Sequence, residues 1–190
     1  MLTGTRARLL VLASALAIAS VATIACGGGS VIDNPQKQVE ITSTNGLKIS
    51  ASIASVSLGE SYSGSNLQLA FVANDALDPA SIEIVSVVLV DSSTGAAADT
   101  LKSSEPRVWN GSSYVPWNQQ VTPGGDLKAS YALTTPNWAS IDSGFGPGGS
   151  SRYGSRSYSI PFKLKVTMRI DGTEVVLESA ELHREPVAVT

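Results

Sequence analysis

Near the C-terminal end, Tyr158, Ile160, Phe162, Leu164, Val166, Met168 and Ile170 put an apolar side chain at every second position without a break. A period of two is a strand period; a helix would scatter those side chains around its axis. Asp171-Gly172 then marks a tight two-residue turn. With that loop length, Val175 and Leu177 fall opposite Met168 and Val166. On the other face Arg169 meets Glu174, and Lys165 meets Glu178. Both charge pairs are opposite in sign, so pattern and charge select one register, and a one-residue slip would lose both. Exposed pairs contribute about 0–1 kcal/mol each, so they set register more than stability. Further out the parity fails at Ser179 and Glu181, and a bulge near Ser179-Ala180 is predicted to return Leu182 to the core face.

The same period recurs upstream. Val39 and Ile41, then Leu47, Ile49, Ala51 and Ile53, flank Asn45-Gly46. A two-residue loop would put the two apolar sets on opposite faces. A three-residue loop, Thr44-Asn45-Gly46, pairs Ile41 with Ile49 and Val39 with Ala51, and predicts a left-handed Gly46 at a bulge. The parity then flips to Val56 and Leu58, which predicts either a bulge near Ala54-Ser55 or a strand crossing between sheets. Leu67, Leu69, Phe71 and Ala73 form the next strand. Ile82 to Val90 is a nearly continuous apolar run, read as a central strand buried on both faces. Residues 96–126 are less regular, Arg107 to Trp117 reads as a hairpin or loop, and alternation resumes at Leu127, Ala129, Tyr131 and Leu133. Ser143 to Ser157 reads as a long Gly/Ser-rich loop. About eight strands separated by turns, with no convincing helix after the leader, predict an all-β, antiparallel β-sandwich of immunoglobulin-like layout.

The N-terminal end is of another kind. Arg6 and Arg8 precede an apolar run from Leu9 to Ala22, broken only by Ser14 and Ser20, and small residues lead on to Ala25-Cys26. Two readings stand: a short transmembrane helix, near the lower limit of the roughly 20 apolar residues needed to span a bilayer, and a cleaved secretory signal. Thr23-Ile24-Ala25-Cys26 resembles the lipobox of a bacterial lipoprotein signal, departing from it at Thr23, where the pattern prefers Leu. The resemblance covers about the first 30 residues. It implies cleavage between Ala25 and Cys26, a diacylglyceryl thioether on Cys26, and fatty acylation (palmitate) of the new amino group. Cys26 is the one cysteine in the chain, so an internal disulfide is impossible. A membrane partner, reached through lipid on Cys26, follows from the resemblance. Gly27 is not the Asp that retains some lipoproteins in the inner membrane, which by analogy favours the outer membrane of a bacterial envelope. The organisation expected is a signal over 1–25, a lipidated cysteine and flexible Gly-rich tether over 26–37, and a single domain over 38–190.

Losing the leader removes Arg6 and Arg8, leaving 11 basic residues against 16 acidic ones, a net charge near −5. A mildly acidic domain without a basic cluster argues against a nucleic-acid partner and against electrostatic docking on anionic lipid. The 165 remaining residues can bury a real core.

Chemistry is sparse. His183 is the single histidine, and no Gly-x-Ser-x-Gly elbow surrounds a serine, so no catalytic residue is assigned and a hydrolase is the weakest reading. One histidine and one lipidated cysteine cannot make a zinc site, and no cofactor is expected. Asn74, Asp75 and Asp78 share one turn; they are oxygen ligands of the kind calcium takes, and equally ordinary turn formers. Trp109, Trp117 and Trp138 fall within 30 residues, with Tyr114 between the first two. Those four rings either cover an open end of the core or form a flat platform for a sugar or a protein. The function expected is a lipid-anchored, non-enzymatic envelope protein that binds or scaffolds an envelope protein or polysaccharide. The alternative is a carbohydrate-binding module using Trp109, Tyr114, Trp117 and Trp138.

Overall fold

The computed structural model describes residues 38–43, 46–60, 64–74, 78–144, 150–151 and 154–184. The leader, Ala25, Cys26 and the tether lie outside the described residues, as does Asp75. The elements run β1 (Val39–Thr42), β2 (Lys48–Ser57), β3 (Ser65–Ala73), β4 (Ala80–Asp91), β5 (Ala97–Leu101), β6 (Arg107–Trp109) and β7 (Tyr114–Pro116). They continue with β8 (Gln120–Val121), β9 (Asp126–Leu133), α1 (Trp138–Gly144), β10 (Ser150–Ser151), β11 (Gly154–Ser155), β12 (Phe162–Ile170) and β13 (Thr173–Glu178). One sheet has the order β1-β2-β3-β9-β6-β7, and a second has β13-β12-β4-β5, with β8 paired to the start of β4. All strand pairs are antiparallel. The inward side chains of both sheets form one apolar cluster, including Ile49, Leu69 and Phe71 from the first and Leu89, Leu164 and Met168 from the second. The protein is an all-β sandwich.

The predicted registers hold. Met168 faces Val175, Val166 faces Leu177, Arg169 faces Glu174 and Lys165 faces Glu178. Asp171 (φ 47°) and Gly172 (φ 80°) are both left-handed, as a two-residue turn matching the strand twist requires. Lys165 Nζ lies 3.1 Å from Glu178. Arg169 turns the other way and pairs at 3.3 Å with Glu83 on β4, because an inner strand offers a partner on either side. Leu182 bridges Phe162, one residue out of step with the hairpin, so the bulge after Ser179 is present. Upstream, Val39 pairs with Ala51 and Ile41 with Ile49, and Gly46 has φ 82°. The parity flip in β2 is a bulge between Ile53 and Ser55, and the strand stays in its sheet.

Four expectations change. β4 is an inner strand, yet Val85 is 42% exposed. Thr167 pairs with Ser86 and Met168 with Ile84, so Val85 is the extra residue of a bulge. Ile82 and Ile84 point inward before it, and Val87 and Leu89 after it. A continuous apolar run here is two alternating runs of opposite parity, not one strand buried on both faces. The ladder of β12 begins at Phe162, not Tyr158: residues 156–159 make a 3-10 turn, and Pro161 has no N–H to donate to a ladder. A short helix, α1, precedes the predicted long loop and takes in its first two residues. Asn137 caps it, its Oδ1 accepting the Ser140 N–H at 3.1 Å. Finally, there are more strands than eight; β5 is typical of those missed, since of its five residues only Leu101 is fully buried, with the small Ala98 packed beside the core.

One buried group makes a stability prediction. Tyr131 is 2% exposed, and its hydroxyl finds no hydrogen-bond partner among the described residues. Burial pushes its phenol well above the ordinary value. Tyr131→Phe is expected to leave stability unchanged or raise it by up to about 1 kcal/mol in denaturant unfolding. Above about pH 10 an unfolded tyrosine loses its proton while the folded one keeps it. The unfolded state then binds fewer protons, so stability falls as pH rises, and the variant should lack that component. A loss of more than 1 kcal/mol at neutral pH would show that the hydroxyl is needed.

Candidate functional site: an aromatic pair on an open sheet face

The four aromatic residues singled out in the sequence separate into three places. Trp138, at the start of α1, is 6% exposed. Its Nε1–H donates to the Gly59 carbonyl at 2.9 Å, and its ring meets Phe162 edge-on at 5.7 Å. It closes one end of the core. Trp117 is half-buried, 5.7 Å from Phe71, with its Nε1–H donating to the Gln120 carbonyl at 3.1 Å. Trp109 and Tyr114 are 55% and 45% exposed and are the two exposed aromatics among the described residues. They sit opposite each other on β6 and β7, with centroids 5.3 Å apart and planes inclined by 62°. The four rings therefore do not build one flat platform. Two of them make an angled, exposed corner.

The β6–β7 hairpin presents that corner because its loop is self-supporting. Asn110 Oδ1 accepts the N–H groups of Ser112 and Ser113 at 3.0 and 2.9 Å, and Gly111 takes φ 100°. Val108 packs inward opposite Ala129, so Trp109, one residue on, points outward. A groove of about 650 Å³ opens beside the pair, with Gln68 of β3 and Asp126 and Lys128 of β9 along it. Exposed tryptophan and tyrosine offer large apolar area at little cost in conformational entropy, and the flanking amide, carboxylate and ammonium supply directional hydrogen bonds.

The opposite kind of site was invisible in the sequence. Arg184 lies between the rings of Trp138 and Tyr158, its guanidinium carbon 4.6 and 4.2 Å from their centroids. It forks onto Glu60, with Nε–Oε1 at 2.7 Å and Nη2–Oε2 at 2.8 Å, and reaches Asp142 at 3.1 Å. Its side chain is 10% exposed. Burial by itself would lower the Arg184 pKa; hydrogen bonding and charge from Glu60, aided by Asp142, more than offset this and hold it above its ordinary value. The Ser157 hydroxyl also contacts Arg184 and is fully buried. This cluster clamps four chain segments together. It does not present a reactive group to solvent.

The remaining candidates are dispersed. His183 is exposed, next to the clamp. Asn74 serves the backbone: its Oδ1 accepts the Lys48 N–H at 2.7 Å, and its own N–H donates to the Lys48 carbonyl at 3.0 Å. Asp78 is exposed. Among the described residues no group of three His, Cys, Asp or Glu side chains is arranged to hold a metal, and no helix is long and apolar enough to cross a membrane. In comparisons with known proteins, no family model and no curated protein matches the chain.

Proposed function

We propose that this chain is a lipid-anchored protein of a bacterial envelope, held through Cys26, whose sandwich domain binds a partner and does not catalyse. The observation that carries the binding role is the Trp109–Tyr114 corner. The other large aromatic side chains described here are wholly or partly buried, whereas these two stand in solvent beside an open groove. Singly exposed apolar residues are ordinary; a paired tryptophan and tyrosine at a groove is the composition of a recognition surface. The anchor reading rests on Ala25-Cys26 after a basic and apolar leader, and on Gly27-Gly28-Gly29-Ser30, which suits a tether. Stable attachment needs two or more chains, at about 0.8 kcal/mol per buried CH₂, which the predicted modification of Cys26 supplies. Gly27 favours the outer membrane.

The immunoglobulin-like layout belongs to the same proposal. Setting the edge strands β1 and β7 aside, β2-β3-β9-β6 follows the order A-B-E-D, and β13-β12-β4-β5 follows G-F-C-C′. Such sandwiches serve widely as binding scaffolds, an argument by analogy of fold.

Growth with a radioactive fatty acid tests the anchor. Wild type is expected to be labelled and to sediment with membranes; Cys26→Ser is expected to lose the label and to run as the longer precursor. Equal labelling of the two would refute the anchor. The groove beside Trp109 also favours a narrower reading, a carbohydrate-binding module.

A further inference from the structure

We infer that the outer face of the six-stranded sheet binds an extended, uncharged polysaccharide that crosses the strands from Tyr114 to β1. This rests on the reading of the Trp109–Tyr114 corner as a recognition surface. A second groove, of about 480 Å³, lies on the same face and includes Glu40, Lys48, Ser50, Val72 and Asn74. The two grooves adjoin. Asp126 of the first is the cross-strand partner of Val72 of the second, and that row continues through Ser50 to Glu40. One row over, Lys128 is followed by Ala70 and Ser52. The path therefore runs from the aromatic corner, over a floor of small and polar residues, to the far edge strand. Six strands span about 24 Å at the usual spacing of ~4.8 Å, a length that suits a polymer better than a compact metabolite.

The chemistry of the path selects the polymer. Its charges alternate, with Lys48 and Lys128 set among Glu40 and Asp126. A polyanion would meet two carboxylates, and a polycation two ammonium groups, so neither is favoured along the whole path. Away from Trp109, Tyr114 and Val72, the outward residues include Ser50, Ser52, Gln68, Ala70 and Ser130, with Arg107 beside Ser130, and they lack the apolar centre that a stable protein interface needs. The surface is likewise too polar and too interrupted for acyl chains. A pyranose polymer matches both halves. Its C–H faces lie against the aromatic corner, and its hydroxyls both donate and accept hydrogen bonds, meeting Gln68, Asp126, Lys128 and Lys48.

The test uses the full chain purified from membranes in detergent. Calorimetry and affinity electrophoresis are run against soluble neutral polymers (glucan, mannan, xylan, galactan), their short oligosaccharides, peptidoglycan strands and one anionic polysaccharide. At least one neutral pyranose polymer is expected to bind. Trp109→Ala is expected to weaken binding at least tenfold with thermal unfolding unchanged, since the ring is solvent-exposed. Lys48→Ala is expected to weaken the polymer several-fold and leave a short oligosaccharide that occupies only the aromatic corner unaffected. Val176→Ser, on the other sheet, should change neither. Failure of every neutral polymer to bind, or full binding by Trp109→Ala, overturns the inference. Binding of only the anionic polymer, lost in salt, also overturns it. A protein or peptide bound through Trp109 in place of any glycan overturns the polysaccharide while sparing the recognition face. Equal loss of short and long ligands in Lys48→Ala, or no loss of either, removes the second groove from the path. Fatty-acid labelling at Cys26 is independent of all these outcomes.

Discussion

Arg184→Ala is expected to destabilise the domain by about 3 kcal/mol or more, one of the two largest effects predicted among single substitutions. The guanidinium is 10% exposed and the Glu60 and Asp142 side chains are 17% and 14% exposed. Removing it takes the guanidinium away from two carboxylates that are largely out of water, and breaking a buried pair from one side typically costs about 3–5 kcal/mol. It also strips the cover from the Trp138 and Tyr158 rings. For a domain of this size the melting temperature should fall by about 6–12 °C. Arg184→Lys keeps the charge but not the planar fork or the stacking, and should fall between the two. Thermal unfolding of the three proteins decides the matter; a shift below about 2 °C in the alanine variant would show that the clamp contributes little.

Phe162→Ala is the second, with an expected loss of about 3–5 kcal/mol. The ring is 1% exposed, starts the β12 ladder opposite Asp91, bridges Leu182 through its backbone and meets Trp138 edge-on. Truncation leaves a cavity where the two sheets and α1 converge. Phe162 and Arg184 both touch Trp138, so the two substitutions should not add. The double variant is expected to lose less than the sum of the singles by at least 0.5 kcal/mol, because the second change acts on a tryptophan already loosened. Simple additivity in denaturant unfolding would mean that Trp138 does not couple them.

These two residues differ in how far they could be read in advance. Phe162 sits in an unbroken alternation, and its burial followed from parity alone. Arg184 follows His183 in a polar stretch, and its partner Glu60 lies 124 positions away. Nothing local distinguishes it from a surface arginine. The helix that brings Asp142 to the clamp had a signal in Pro136-Asn137, a helix-capping pair, overshadowed by the Gly/Ser-rich stretch that follows. The apolar run in β4 misled for a different reason. A bulge leaves no mark in composition, and only the partner strand shows that Val85 has been skipped.

The candidate face was legible in part. Trp109 and Tyr114 flank Asn110-Gly111, and a hairpin there places them side by side. That Trp138 would be drawn into the core, and that two grooves would adjoin between Asp126 and Val72, depends on strands far apart in the chain.

From the sequence alone came the class of fold, the registers of the first and last hairpins, and the lipobox-like cysteine read as an anchor. Register is local: side-chain parity and turn length leave one alignment in which both apolar faces are buried. The tertiary structure alone decided which aromatics meet solvent, where the charges of Arg184, Glu60 and Asp142 converge, and how the polar face is laid out. Those are properties of contacts between distant segments, and a ring or a charge takes its environment from neighbours that its own stretch of chain does not name.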